Sequence, residues 1–281
     1  MQRQFCIWIV TPDGYTHSRC FEEVALSLRE AFAALGMDAP IVTDALQVRG
    51  TAIVLGPHLM QYMVYPRDLI LYNLEQVYQN PRAMTPGYVE ILKQHPVWDY
   101  SARNVTTLAA HGIRASLCGI GYMPALTRIQ PAPVKDIDVL FIGSMNPRRG
   151  QVLDQIESRG AVVTVAFDSY GAERDGLIAR AKIVLNLHFY QAKLFEIVRV
   201  SYLLANRVCV VSETGLDAEL EAPFAGGVAF AGYDGLASAC LRLLADEAAR
   251  NRIAEKGFEQ MRALSQLDML KRALAADPAL L

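Results

Sequence analysis

Long apolar runs are missing from this sequence, and no stretch approaches the roughly 18 apolar residues that a helix needs to cross a membrane. A surplus of one charge is missing too. The 27 Lys and Arg side chains face 29 Asp and Glu, a formal net charge of -2. No broad positive field would therefore draw in a phosphate backbone or an anionic lipid surface, and nucleic acid is not expected among the partners. Cysteine is scarce and scattered. Cys6, Cys20, Cys118, Cys209 and Cys240 are odd in number, far apart and without a CxxC pair, which argues against a disulfide framework or a thiolate metal site and suits buried thiols in a reducing compartment.

Several motifs are also missing. There is no Walker A sequence and no GxGxxG, since Gly119-Ile120-Gly121 stops before a third glycine, so a kinase or a dinucleotide oxidoreductase gains no support. His58, His95 and His111 stand beside proline or glycine with no second ligand at metal spacing, and they read as structural. Asp136-Ile137-Asp138 runs straight into an apolar strand, which makes a poor metal clamp. No metal and no cofactor is expected. The absence of a repeat at a period of 20 to 50 residues excludes a solenoid.

What is present is a chain of 281 residues, 52% hydrophobic and 20% charged, long enough for two domains of about 130 to 150 residues. Phe5-Cys6-Ile7-Trp8-Ile9-Val10 is too short for the apolar part of a secretory leader and reads as a first strand, so a cytoplasmic location is expected. Strand and helix signals then alternate to the end, the pattern of parallel sheets with crossover helices. Ser18 to Leu35 repeats apolar residues at helical spacing and stops at Gly36. Further strands are expected at 39–42, 52–55, 69–72 and 96–100, and further helices at 88–94 and 101–111. Pro124, Pro131 and Pro133 mark a linker, dividing an N-terminal domain, residues 1–128, from a C-terminal one, residues 129–281. The second half restarts with a strand at 138–142 and a helix at 149–159. It continues through strands at 162–167, 183–187, 208–212 and 227–230, helices at 175–181 and 193–205, and an almost unbroken helical region from 233 to 275. The expected fold class is α/β, two Rossmann-like domains facing across a cleft, with a helical C-terminal region. Such sheets bind ligands at the carboxyl ends of their strands.

The chemistry concentrates at those ends. Asn186 and His188 close one strand, Glu196 and Arg199 open the next helix three residues apart on one face, and Ser212-Glu213 closes the strand after it. A carboxylate near a helix N-terminus can accept both hydroxyls of a ribose, and the free N–H groups there favour a diphosphate. Arg148 and Arg149, after the Gly143-Ser144 turn, could clamp a diphosphate bidentately, and Lys193 could offset its charge. In the first half, His17 and Ser18 follow the first strand, and a histidine suits base work near neutrality. Asn73 and Glu75 follow the strand at 69–72, Glu75 being the alternative base. Tyr100, Ser101 and Asn104 complete that rim, with Ser101 also placed to cap a helix.

Phe141-Ile142-Gly143-Ser144, Asn186-Leu187-His188, Phe195-Glu196-Ile197-Val198-Arg199 and Val210-Val211-Ser212-Glu213 together resemble the C-terminal domain of bacterial GT-B glycosyltransferases of the group 1, CgeB-like kind. The resemblance is clearest from about Asp138 to Glu213 and faint over the first half. It implies a donor nucleotide held by the C-terminal domain and an acceptor by the N-terminal one, with Gly143 and Ser144 against the diphosphate and Glu196 on the ribose. It departs from the family at one point. Many retaining members carry glutamates eight positions apart at this helix, and eight after Glu196 stands Leu204, which leaves the stereochemistry open. The implied activity is metal-independent hexosyl transfer, in glycan or glycoconjugate synthesis, from a nucleotide-diphosphate sugar to an unknown glycan or small-molecule acceptor. Arg148, Lys193 and Arg199 would stabilise the departing diphosphate. A nucleotide-sugar epimerase and a non-catalytic partner module of the same fold are the alternatives.

Overall fold

A computed structural model describes residues 3–61, 63–80, 82–189 and 194–277. It divides into two compact units, Met1–Leu126 with Leu264–Leu281, and Thr127–Ala263.

The first unit is built on strands β1 (Phe5–Ile9), β2 (Ile41–Val42), β3 (Thr51–Leu55), β4 (Leu69–Asn73), β5 (Val97–Asp99) and β6 (Ala115–Leu117), with helices α1 (Glu22–Ala34), α2 (Pro86–Gln94) and α3 (Ala102–Ala110). All pairings are parallel, in the order β2-β1-β3-β4-β5-β6. The central strands are apolar at every position but Thr51 and Asn73 and are buried throughout, as a sheet covered on both faces demands. Trp8, Val54, Leu71, Tyr88 and Leu108 form its core. Two differences from the sequence reading lie at the edges. The strand expected at 39–42 shrinks to β2, and β6, which the pattern did not reveal, is three partly exposed residues. The helix expected from Ser18 starts only at Glu22, after a 3-10 turn over Thr16–Phe21.

The second unit contains β7 (Ile137–Ile142), α4 (Pro147–Glu157), β8 (Val163–Ala166), α5 (Gly171–Arg180), β9 (Ala181–Asn186), α6 (Ile197–Ala205), β10 (Val210–Glu213), α7 (Ala218–Glu221), β11 (Ala229–Ala231), α8 (Leu236–Ala245) and α9 (Glu247–Ala263). This sheet is parallel too, ordered β11-β10-β9-β7-β8. The chain leaves β7 for β8 on one side and returns to β9 on the other. The strand order therefore reverses between β7 and β9, and their carboxyl ends flank a topological switch point, where α/β sheets open a crevice.

The helical region expected from 233 to 275 is three helices, α8, α9 and α10 (Gln266–Ala275), broken where Asp246 and Ser265 turn extended. The last of them belongs with the first unit, whereas the sequence division placed residues 264–281 in the second. The reason is a close backbone approach. Tyr122 N donates to Leu264 O at 2.7 Å, Gln266 N to Tyr122 O at 3.1 Å, and Gly121 N to the Gln266 side chain at 2.7 Å. A Cβ on Gly121 would lie 2.6 Å from Gln266 N. The incomplete glycine motif is thus a docking seat for α10, whose Leu270, Ala273 and Leu274 are buried. Among the described residues no helix is long and apolar enough to cross a membrane.

Candidate nucleotide-sugar site

The second unit gathers a set of polar side chains around its switch point. Gly143 follows β7 with φ +143°, and a Cβ there would meet Arg199 Nη1 at 3.1 Å and Arg149 Nη1 at 3.5 Å. Only a residue without a side chain lets two guanidinium groups crowd this turn. Asn146 then caps α4 by accepting from Arg149 N at 2.8 Å, with Pro147 at the first helical position. Arg149 is buried, donates to Ser144 O at 2.7 Å and to Leu187 O, and lies 5.0 Å over the rings of Phe141 and Phe189. Arg148 forms a bidentate pair with Glu213, one arm at 2.8 Å, and lies 4.0 Å over the Tyr233 ring, whose hydroxyl donates to Arg148 O at 2.7 Å.

At the end of β9, Asn186 Nδ2 donates to Glu196 at 2.8 Å and to Ser212 Oγ at 3.0 Å, and His188 Nδ1 lies 3.1 Å from the other Glu196 oxygen. Glu196 is the N-cap residue of α6, not its first-turn interior, because the helix expected from 193 begins at Ile197. Burial alone would raise its carboxyl. The hydrogen bond and charge of His188, the charge of Arg199 and the Asn186 amide outweigh burial and hold it at about 2. An ionised carboxylate on Nδ1 turns that nitrogen into the donor and leaves Nε2 to face the site. The residue eight positions before Glu196 is thus its bonded partner, while Leu204, eight after, is fully buried in apolar surroundings. Arg199 Nη1 donates to Ile142 O, the last residue of β7.

Three polar atoms here are buried with no hydrogen-bond partner among the described residues: Asn186 Oδ1, His188 Nε2 and Arg199 Nε. Each such group costs about 1–3 kcal/mol in a closed protein. Three on adjoining elements at one strand-end crevice mark a surface shaped for a polar ligand. Of the predicted donor residues, the structure brings together Gly143, Arg148, Asn186, His188, Glu196 and Arg199. Ser144 is exposed beside them, and Lys193 lies outside the described residues. Arg149, expected beside Arg148 as a diphosphate clamp, spends its guanidinium on Ser144 O and Leu187 O. Tyr233 carried little sequence signal and could have been found only as the polar residue just past β11.

In the first unit, Ser18 is buried and donates to Val10 O at 2.6 Å. Asn73 is buried with both ends of its amide used: it donates to Asp99 at 2.6 Å and accepts from Tyr88 Oη at 2.7 Å. These two side chains hold the sheet edge together instead of lining it. Ser101 caps α3 through Asn104 N, and Tyr100 is buried. His17 is half-buried in the turn after β1, edge-on to Tyr15 at 5.3 Å. Glu75 is partly exposed with its carboxylate 3.4 Å from His58 Nδ1. Among the described residues no group of three or more His, Cys, Asp or Glu is arranged to hold a metal ion.

No family model matches the chain. Protein L140 of Acanthamoeba polyphaga mimivirus is 30% identical over 191 residues, 63% of this chain and 59% of that protein. A second mimivirus protein is 34% identical over 113 residues, 39% of this chain and 13% of its own length. The chain thus spans less than two thirds of either relative. Among solved structures, HepE of Anabaena, determined with UDP and glucose, superposes with a TM-score of 0.62 at 11% identity over 100% of both chains. WaaG, a glycosyltransferase involved in lipopolysaccharide biosynthesis, gives 0.62 at 12% identity over 97% of this chain and 98% of its own. The DNA-modifying β-glucosyltransferase gives 0.58 at 11% identity over 99% of both. At such identities the likeness is one of fold, two parallel-sheet α/β domains with a helical C-terminal region, and that fold is the GT-B fold of glycosyltransferases.

Proposed function

We propose that the chain is a glycosyltransferase of the group 1, CgeB-like kind that moves a hexosyl group from a nucleotide diphosphate to an acceptor hydroxyl, in glycan or glycoconjugate synthesis. One observation carries the reading. At the switch point of the second sheet, arginine side chains surround a glycine turn beside the unpartnered Asn186 Oδ1, His188 Nε2 and Arg199 Nε. A diphosphate against Gly143 would receive the Arg199 guanidinium, and His188 Nε2 would meet a phosphate oxygen or the donor sugar. Arg148 and Arg199 take the place of a metal ion, stabilising the charge that develops as the sugar–phosphate bond breaks. Glu196 acts mainly by fixing Asn186 and His188, since each of its oxygens already accepts a bond. The solved neighbours bound to UDP or UDP-glucose make uridine the first base to try.

The test is a calorimetric titration of UDP and UDP-glucose into the wild type and Arg199→Ala. The proposal expects binding to the wild type and at least a tenfold loss in the variant, the weight of about one charge-assisted hydrogen bond. Equal binding by both proteins, or no binding of any nucleoside diphosphate, would remove this site from the reaction.

A further inference from the structure

A cavity of about 390 Å³ opens in the first unit at the amino ends of β5 and β6. This is the edge of the sheet opposite the carboxyl ends at which such folds bind their substrates. Its wall belongs to the first unit alone, drawn from the last turn of α2, the turn after α3, the starts of β5 and β6 and the end of α10. Leu92, Val97, Trp98 and Ile113 are buried and give it an apolar lining. β6 is the outermost strand and stays partly exposed beside the space.

The polar part of the lining is cationic. Among the described residues no ion pair and no hydrogen bond engages the side chain of Lys93 or Arg114. Lys93 lies across the turn that leads to Arg114, since a Cβ on Gly112 would sit 3.9 Å from Lys93 Cε. Lys93 stands in the last turn of α2, where its charge also suits the carbonyl end of the helix. Arg114, in the turn into β6, has no such reason. Two like charges brought to one cavity without a counter-ion repel each other, a cost that a bound anion removes. His95, expected only to be structural, adds an imidazole edge-on to Tyr65 with centroids 6.0 Å apart. Burial lowers its pKa, so near pH 7 the ring is neutral and offers one N–H and one lone pair. Asp277 supplies a carboxylate at the end of α10, and neither Lys93 nor Arg114 pairs with it.

We propose that this cavity is a second ligand site, for a small anion with an apolar body, either a carboxylate or a phosphate ester. Lys93 and Arg114 take the charged head, a guanidinium meeting either head group through two parallel bonds. The body lies against Leu92, Val97, Trp98 and Ile113. The volume falls within the range of small-molecule sites, roughly 300–1,000 Å³, and so does the mixture of an apolar lining with a few polar groups. Asp277 beside the cations, and a net charge of -2 on the whole chain, disfavour an extended polyanion. The inference stands apart from the transferase reading, because its ligand touches nothing around Gly143.

The experiment titrates phenyl phosphate, benzoate and uncharged phenol by calorimetry into the full chain, as wild type, Lys93→Ala, Arg114→Ala, Ala276→Phe and Arg199→Ala. At least one of the two anions is expected to bind the wild type with a Kd of about 1 mM or below, and the tighter of the two names the head group. Lys93→Ala and Arg114→Ala should each weaken it about tenfold, the weight of one charge-assisted hydrogen bond. Ala276→Phe, which puts a ring into the cavity, should abolish it. Lys93, Arg114 and Ala276 are exposed, so these variants are expected to keep the wild-type melting temperature. Arg199→Ala, in the second unit, should leave the anion's affinity unchanged. Binding of neither anion, equal binding by the wild type and both charge variants, or phenol binding as tightly as the anions would overturn the assignment. Binding lost in Arg199→Ala alone would place the anion in the second unit and overturn it as well.

Discussion

Replacing Glu196 by Gln removes one charge from the centre of the second unit's polar cluster while keeping the side chain's shape. A carboxyl held at about 2 in place of its ordinary 4.5 corresponds to roughly 3 kcal/mol of native-state stabilisation at neutral pH, shared with His188. The amide keeps an acceptor for Asn186, so the expected loss is about 1–3 kcal/mol. For a unit of this size that lowers the melting temperature by roughly 3–8 °C. The pH dependence has a definite direction. Because the folded carboxyl titrates below the unfolded one, its contribution is complete above about pH 4.5 and is lost as the pH falls toward about 2. Both tryptophans, Trp8 and Trp98, lie in the first unit, so their fluorescence follows that unit alone. Hydrogen exchange of the β9 and β10 amides reads the second. The gap between wild type and Glu196→Gln should stay constant from about pH 7 to pH 5 and close below about pH 4.5. A gap that persists unchanged to about pH 3, or none at neutrality, would refute the ionised-carboxylate account.

Three further outcomes follow from particular contacts. Gly143→Ala forces a Cβ to 3.1 Å from Arg199 Nη1 at φ +143°, and calorimetry should show weaker UDP binding at a stability cost of about 1–3 kcal/mol. Gly121→Val places side-chain carbon against the Gln266 backbone, 2.6 Å from a Cβ. It should loosen α10 and raise proteolytic cleavage near residue 264, with about 1–3 kcal/mol lost. Burial raises Asp99 to about 7 against the lowering bonds of Asn73 and Ser101. The native state therefore binds that proton more tightly and loses stability as the pH rises from about 4 to 7. In Asp99→Asn that slope should flatten, as read by Trp98 fluorescence in urea.

Much of the layout was legible because apolar runs and strand-end polar residues are local signals. Phe5 to Val10 and Asp138 to Ile142 announce buried parallel strands, and Asn186, His188 and Glu213 stand out as polar residues where such runs stop. Partnerships were not legible. That Asn186 meets Ser212 follows from the register of β9 against β10, in which those two residues are paired, and that His188 meets Glu196 depends on the course of the chain between them. The glutamate spacing of the resembled family points eight residues after Glu196, to Leu204 in the helix interior, while the side chain bonded to Glu196 is His188, eight before. The destination of α10 was equally hidden, because an amphipathic helix has the same periodicity whichever unit it covers. Its seat is a glycine whose purpose shows only when a backbone lies against it. Edge elements such as β6 bury too little to impose a pattern.

A nucleoside diphosphate seated at the switch point of the second sheet would shield the strand ends that hold it. Hydrogen exchange of the whole chain with and without saturating UDP tests it most directly, since ligand binding must slow local opening where the contacts form. Protection is expected at 143–149, 186–188 and 196–199, and its loss in Arg199→Ala. Protection confined to other segments, or none at all, would contradict it.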